Sequence, residues 1–119
     1  MPTVLVIDDS MFQRTVLCNI IQKMGYQHLQ AATGQEGLEL AKKHTPDTIL
    51  LDLLMPDMNG MEVLEKLRKS SPSLSVVVCS ADIQQNVRDK CMDLGAKAFL
   101  NKPILETKLI ETLQSIINT

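Results

Sequence analysis

The segment TVLVIDD, residues 3–9, decides the fold because it joins a short apolar strand to two consecutive carboxylates. The segment TILLD, residues 48–52, repeats this pattern with one carboxylate. Strands that consist of nearly continuous Val, Ile and Leu are typical of parallel sheets buried on both faces. In such sheets, ligands bind beyond the carboxyl ends of the strands, where the strand order reverses. The two segments therefore predict a buried parallel sheet with acidic residues at its binding edge.

Apolar runs and helical periodicity alternate along the whole chain, which predicts five strand–helix units. This alternation favours an α/β fold, a doubly wound five-stranded parallel sheet in the order 2-1-3-4-5, flavodoxin-like and with five helices. The predicted strands span residues 3–7, 28–31, 48–51, 74–79 and 96–100. The predicted inward side chains are Phe12, Val16, Ile20 and Met24 in the first helix, Ile83, Val87, Cys91 and Leu94 in the fourth, and Leu105, Leu109, Leu113 and Ile116 in the fifth.

The composition indicates a single domain spanning residues 1–119, since 119 residues with 45% hydrophobic content suit one globular unit. A formal net charge of −2 gives no electrostatic argument for nucleic acid or an anionic membrane surface. No apolar run approaches the roughly 20 residues that span a bilayer, so we expect no membrane insertion. The cysteines Cys18, Cys79 and Cys91 are widely spaced. Reduced thiols in a cytoplasmic protein are the expected state.

Polar side chains follow four of the five predicted strands at the point where each strand ends. Asp8 and Asp9 follow the first strand, Asp52 the third, Ser80 the fourth and Lys102 the fifth. Because parallel strands end at the same edge of a sheet, we expect these groups to converge there. Three carboxylates disfavour one another unless a cation lies among them, and oxygen ligands suit a hard cation such as Mg²⁺.

The same positions resemble the receiver domain of bacterial two-component response regulators, over the whole length of the chain. With no further domain in the sequence, the resemblance is to the stand-alone regulators of the chemotaxis type. Each matching motif is short, but they occur in the expected order and each in the expected strand context. The motifs are Asp8-Asp9, Asp52 followed by Met55-Pro56 and Asn59-Gly60, Ser80-Ala81, Gly95-Ala96 and Lys102-Pro103.

The resemblance implies a phosphorylatable signalling switch rather than an enzyme acting on a separate substrate. It makes Asp52 the phosphoacceptor and gives Lys102 the role of pairing first with Asp52 and then with a phosphoryl oxygen. It implies that Asp9 and Asp52 hold Mg²⁺ directly, that Asp8 helps, and that the backbone carbonyl of Leu54 is a further ligand. A carboxylate is an established covalent phosphoryl acceptor, and phosphoryl transfer depends mainly on positioning and charge neutralisation.

The resemblance also implies how a phosphoryl group changes the protein. The Ser80 hydroxyl would move to the phosphoryl group, and Phe99 would turn into the space it leaves, which alters the surface of the fourth helix, fifth strand and fifth helix. Because Phe99 has no hydroxyl, we expect it to favour the buried position. Leu54 and Asp82 occupy the positions that tune phosphate lifetime, and the Lys102–Pro103 peptide is expected to be cis. Exposed candidates on the output surface are Gln84, Gln85, Arg88 and Lys108.

The implied partners are a sensor histidine kinase, a downstream protein target of unknown identity and a phosphatase, with the chain itself a monomer. No residue names these partners, so chemotaxis, another phosphorelay and a phosphatase-linked adaptation loop all remain open. The chain has no aromatic platform for stacking bases, and we expect no nucleic-acid partner.

The same residues allow other interpretations. Asp8 and Asp9 can be only a turn and a helix cap, Ser80 can cap the fourth helix, and Lys102 can be a solvated lysine. A haloacid dehalogenase-type hydrolase would need an Asp-x-Asp motif and usually a cap domain. A flavin or nucleotide binder would need a Gly/Ser/Thr-rich phosphate loop after the first strand. A degenerate receiver that is never phosphorylated is disfavoured by the intact acidic pair, acceptor, hydroxyl and lysine.

Overall fold

A computed structural model describes residues 1–82 and 84–117, and in it five parallel strands form one sheet in the order β2-β1-β3-β4-β5. The predicted fold class and strand order are confirmed. The strands are β1 (Thr3–Ile7), β2 (Gln27–Ala31), β3 (Thr48–Asp52), β4 (Ser75–Ser80) and β5 (Ala98–Asn101). The helices are α1 (Met11–Lys23), α2 (Gly34–His44), α3 (Gly60–Ser70), α4 (Gln85–Asp93) and α5 (Glu106–Ile117).

Two hydrophobic clusters lie on opposite faces of the sheet. Alternate residues of each strand point to opposite faces, so Leu5 and Ile7 enter one cluster while Val4 and Val6 enter the other. The first cluster includes buried residues of α2, α3 and α4, and the second includes buried residues of α1 and α5. Because both faces are covered, β1, β3 and β4 are buried along most of their length, as their apolar sequences require.

The strand register brings the ends of four strands to one edge. Ile7 pairs with Leu51, Asp52 pairs with Cys79, and Ser80 pairs with Asn101. The residues that directly follow or end β1, β3, β4 and β5 therefore share this edge, which is called the carboxyl end of the sheet below.

Local signals at the helix ends agree with the structure in two cases and differ in a third. Ser10 is the N-cap of α1 and accepts from the Gln13 N–H, and Gly25 follows α1 with a φ of 84° in the left-handed region that favours glycine. Ser80 does not cap α4, because the N-cap residue there is Gln84, which makes no side-chain capping bond.

The inward side chains expected for α1 and α5 need correction. Phe12 is 73% exposed and Val16 also faces solvent, whereas Leu17, Ile20 and Ile21 are buried. Steps of four residues overshoot a helical turn by about 40°, so a series that is buried at Ile20 has its earlier members Phe12 and Val16 rotated off the sheet-facing side. In α5 the expected Leu109 and Leu113 are buried and the expected Ile116 is partly buried, whereas the expected Leu105 precedes the helix and is exposed. Ile83, expected inward in α4, lies outside the described residues.

Two further sequence expectations concern cysteines and membranes. Cys18, Cys79 and Cys91 are all free and buried. Within the described ranges, none of the helices combines the length and apolarity needed to cross a bilayer.

Candidate functional site

Three carboxylates meet at the carboxyl end of the sheet. Asp8 follows β1, Asp52 ends β3, and Asp9 begins the turn into α1, so the winding of the fold brings together residues far apart in sequence. One oxygen atom from each of the three lies within 4.8 Å of the others. Asp8 and Asp52 are only 2% and 6% exposed, whereas Asp9 faces solvent. The cluster therefore has a buried floor and an open side.

Lys102 reaches this floor from the end of β5. Its Nζ donates to Asp8 Oδ2 at 3.0 Å and to Asp52 Oδ1 at 3.2 Å, and its side chain is 17% exposed. Burial alone would lower the pKa of Lys102, but hydrogen bonds and charge attraction from Asp8 and Asp52 outweigh burial and raise the pKa above its ordinary value. The peptide bond from Lys102 to Pro103 is cis, as expected.

The pKa of Asp52 is also raised, but for a carboxyl group this disfavours the charged form. Burial and the charge of Asp8 raise the pKa of Asp52 although Lys102 and the Leu54 N–H act to lower it. Both members of this ion pair thus have raised pKa values, which favours ionised Lys102 and disfavours ionised Asp52. The main reason for Asp52 is burial, to which the charge of Asp8 adds, and the one lysine is shared between both carboxylates. Three carboxylates and one ammonium group give the cluster an excess of formal negative charge.

This excess charge fits a hard divalent cation. Carboxylate oxygens from three side chains, one of them open to solvent, match the oxygen ligands and retained waters with which proteins bind Mg²⁺. The donor set contains no thiolate or imidazole that would favour a softer metal.

Arg14 is a residue that sequence reasoning missed. Its guanidinium donates to the Asp8 carbonyl at 2.7 Å and to Gln30 Oε1 at 3.1 Å, and the Ser10 N–H donates to Asp8 Oδ1 at 2.9 Å. These bonds hold the β1–α1 turn against β2. The contact to Asp8 uses a backbone carbonyl, which every residue has, so the sequence has no signal for it.

Asp57 is the second missed residue, in the loop between β3 and α3. Its two carboxylate oxygens accept from the backbone N–H groups of Gly34 and Gln35, both at 2.9 Å. These hydrogen bonds, with that from Gln35 the strongest, lower the pKa of Asp57. The loop that leaves the acidic cluster is thereby fastened to the start of α2.

Ser80 and Phe99 lie on adjacent strands at the same end of the sheet. Ser80 is buried, and its hydroxyl oxygen accepts from the Asp82 N–H at 3.0 Å. Phe99 is 8% exposed and belongs to the cluster between the sheet and α2, α3 and α4. The hydroxyl is therefore held in a short turn, and the aromatic ring is directed inward.

Leu54 and Asp82 flank Ser80. The three residues contribute to a pocket of about 220 Å³ together with side chains from α3 and α4. Leu54 is 77% exposed, so its side chain stands at the outer side of this pocket. A second pocket of about 420 Å³ runs over β5 between α4 and α5. It is lined by Arg88, Phe99, Leu100, Asn101, Lys102, Pro103, Ile104, Leu105 and Lys108.

Comparison with known proteins gives a consistent result. The model of the response regulator receiver domain family matches residues 4–114. The chain is 37% identical over 114 residues to the chemotaxis protein CheY of Thermotoga maritima, and the match covers 95% of each protein.

Solved structures agree with the sequence comparison. A CheY-like response regulator receiver domain protein from Methanospirillum hungatei superposes with a TM-score of 0.95 at 26% identity, covering 99% of this chain and 94% of that one. CheY in the CheX–CheY–BeF₃–Mg²⁺ complex of Borrelia burgdorferi superposes with a TM-score of 0.94 at 29% identity, covering 98% of this chain and 89% of that one.

Proposed function

Because the chain belongs to the response regulator receiver domain family and is a phosphorylatable switch of the CheY type, we propose that it accepts a phosphoryl group from a sensor histidine kinase onto Asp52. The observation that carries this proposal is the convergence of Asp8, Asp9 and Asp52 with Lys102 at one end of the sheet. A carboxylate oxygen of Asp52 attacks the phosphorus of a phosphohistidine, the P–N bond breaks, and an acyl phosphate forms.

Lys102 prepares the acceptor and then neutralises the product. Its ammonium group already donates to Asp52 Oδ1, and it transfers this bond to a phosphoryl oxygen once Asp52 is phosphorylated. Charge pairs about 4 Å apart interact by roughly 4 kcal/mol at an effective dielectric of 20, so Lys102 contributes strongly to the stability of the product.

The metal ligands we propose are Asp9 and Asp52 directly, Asp8 through water, and the backbone carbonyl of Leu54. When bound, Mg²⁺ supplies charge neutralisation for the phosphoryl oxygens. Asp8 and Asp52 form a buried floor and Asp9 faces solvent, so the open side leaves room for water and for the phosphodonor. The related Borrelia burgdorferi CheY complex contains Mg²⁺.

Ser80 and Phe99 are the proposed switch. To reach a phosphoryl oxygen, the Ser80 hydroxyl turns away from the Asp82 N–H and forms a charge-assisted hydrogen bond instead. Phe99 has no polar group that rewards exposure, so its inward position supports our expectation that it favours the buried rotamer. An outward, solvent-facing Phe99 in a structure of the phosphorylated protein would contradict this.

The output surface we propose consists of α4, β5 and α5. The 420 Å³ groove between α4 and α5 includes Phe99 and Lys102 in its wall, so movement of either residue changes its shape. Arg88 and Lys108 also line this groove, while Gln84 and Gln85 are exposed at the start of α4.

Leu54 and Asp82 are the proposed determinants of signal lifetime. Both line the 220 Å³ pocket that contains Ser80. Leu54 offers no side-chain hydrogen bond to an attacking water, so we expect it to slow hydrolysis.

The partners we propose are a sensor histidine kinase, a downstream protein and a phosphatase, with this chain acting as a monomer. The related Borrelia burgdorferi CheY forms a complex with CheX in the presence of BeF₃ and Mg²⁺. That complex supports the expectation that the loaded site of this chain is also recognised by a second protein.

The test is incubation with acetyl phosphate and Mg²⁺ followed by intact-protein mass spectrometry. The parent protein should gain the mass of one phosphoryl group, and Asp52→Asn should not. An unlabelled parent under conditions that label other receiver domains would overturn the proposal. A labelled Asp52→Asn variant would show that Asp52 is not the acceptor.

A further inference from the structure

The loop between β3 and α3 is closed at its base. The Gly60 N–H donates to the Leu53 carbonyl at 2.9 Å, which brings the two ends of the loop together. A Cβ atom at Gly60 would lie 2.5 Å from the Asp52 carbonyl oxygen and 2.5 Å from Leu53 Cα, so only glycine permits this closure. The proposed metal ligand Leu54 is the first residue inside the closed loop.

The tip of the same loop is held by α2. Asp57 accepts from the N–H groups of Gly34 and Gln35 at 2.9 Å each. Met58 packs so closely against Gly34 that a Cβ atom there would lie 2.5 Å from Met58 Cγ. The loop therefore has two attachments, one to its own base and one to a different element.

The hydrogen bonds at the start of α2 show that Asp57 is not the N-cap residue of this helix. The first backbone N–H groups of a helix lack partners within the helix. Thr33 is the N-cap residue of α2 and accepts from the Glu36 N–H at 3.1 Å, so the helix already has a cap from its own chain segment. Asp57 takes the two preceding N–H groups, from 22 and 23 residues away. The hydrogen bonds of Asp57 therefore connect the β3–α3 loop to α2, in addition to capping α2.

We infer that Asp57 is a positioning residue for the Mg²⁺ site: by fastening the β3–α3 loop to α2, it holds the Leu54 carbonyl in place beside Asp9 and Asp52. This inference rests on the proposed function, because it takes Leu54 as a ligand. A loop that is ordered before the cation arrives loses less conformational freedom on binding, and groups that orient metal ligands affect metal affinity without touching the metal. The lowered pKa of Asp57 shows that it is the charged carboxylate that these N–H groups favour.

The test is the Mg²⁺ affinity of the unphosphorylated protein, measured by titrating Mg²⁺ into ¹⁵N-labelled protein and following backbone amide shifts by NMR. Asp57→Ala should raise the dissociation constant about tenfold, at the low end of the range for groups that orient metal ligands. Asp57→Asn keeps one acceptor oxygen and should give an intermediate increase.

Thr33→Ala is the matched control, because it removes a side-chain hydrogen bond from the same helix terminus without releasing the loop. It should lower the melting temperature comparably to Asp57→Ala but leave the dissociation constant of Mg²⁺ within about twofold of the parent. Equal affinities for Asp57→Ala and the parent would overturn the inference, as would equal weakening by Thr33→Ala. A parent protein that binds no Mg²⁺ would overturn the proposed function itself, a different result from either.

Discussion

The two ends of the sheet differ in what they bury. At the amino end, a pocket of about 610 Å³ is lined by polar and aromatic side chains that include Thr3, Tyr26, His28 and His44. At the carboxyl end, the two pockets are smaller, about 420 Å³ over β5 and about 220 Å³ beside Ser80. Yet the carboxyl end contains the buried Asp8 and Asp52, with Lys102 between them.

The difference shows that cavity volume is a poor guide to function in this molecule. Burying charged groups lowers stability unless they are paired. Here two buried carboxylates share one lysine, and such incompletely paired charges are typical of functional sites, where the charges are needed. The polar groups of the amino-end pocket remain close to solvent and carry no such cost. Substitutions of charged and exposed residues test this contrast.

Replacement of Lys102 by methionine should have the largest effect on stability. Methionine fills a similar volume but leaves Asp8 and Asp52 buried without a cation, and removing one partner of a buried ion pair costs about 3 kcal/mol or more. We expect a loss of about 3 kcal/mol in the free energy of unfolding without Mg²⁺, measured by urea denaturation and circular dichroism, and partial recovery in saturating Mg²⁺.

Lys97→Met is the control for this experiment, since Lys97 is exposed at the amino end of β5. It should change stability by less than about 0.5 kcal/mol. Similar losses for the two lysines would show that the carboxyl end is not electrostatically special.

The Leu54→Asn substitution tests whether the small pocket controls the chemistry. Asparagine can hydrogen-bond a water that approaches the acyl phosphate, and a net hydrogen bond of about 0.5–1.5 kcal/mol corresponds to roughly two- to tenfold in rate. We therefore expect phosphate loss to accelerate by that factor, measured by intact mass after removal of acetyl phosphate. Leu105→Asn changes another exposed leucine and should leave the decay unchanged. An unchanged or slower decay in Leu54→Asn would count against shielding.

Asp52→Asn should stabilise the Mg²⁺-free protein while abolishing phosphorylation. Burial and the neighbouring Asp8 raise the pKa of Asp52, so its ionised form is disfavoured in the folded state. Removing that charge leaves Lys102 paired with Asp8 alone. We expect the free energy of unfolding to rise by about 1 kcal/mol at neutral pH, within the usual range for stabilising substitutions. Asp89→Asn removes an exposed carboxylate and should change stability by less than about 0.5 kcal/mol. A destabilised Asp52→Asn would show that the ion pair outweighs the burial of charge.

Most of the fold is predictable because four of the five strands contain apolar runs that end at polar residues, with β2 the exception. The order 2-1-3-4-5 then accounts for the proximity of Asp8, Asp52 and Lys102, which are up to 94 residues apart in sequence. The approximate positions of these three residues follow from topology, because each lies where a strand ends. The coarse geometry of the acidic cluster is therefore encoded in the apolar pattern and the strand order.

The parts that could not be predicted depend on backbone partners and on helix rotation. Arg14 binds the Asp8 carbonyl, and Asp57 binds two N–H groups of α2. Because every residue has a backbone, the sequence does not indicate which backbone groups a side chain will bind. The four-residue spacing that Phe12 shares with Ile20 predicts an inward side chain, but the rotation of α1 leaves Phe12 in solvent. The supporting contacts around the site are thus less visible in sequence than the groups they support.

The smallest expected effect on stability concerns Asp57, an exposed carboxylate at the same end of the sheet as the buried Asp8 and Asp52. Asp57 lies at the surface, and backbone N–H groups of Gln35 and Gly34 lower its pKa in the folded protein. A depressed folded pKa means that ionised Asp57 contributes stability above the ordinary aspartate pKa of about 3.9, and that this contribution is lost as the pH falls through the lower folded value. The parent should therefore exceed Asp57→Asn slightly in stability at neutral pH, and the difference should vanish in acid. Urea denaturation of both proteins without Mg²⁺, from about pH 7 to about pH 2, measures it, and titration of the other carboxylates cancels in the comparison. A difference independent of pH would show that the charge at this exposed position contributes nothing to stability.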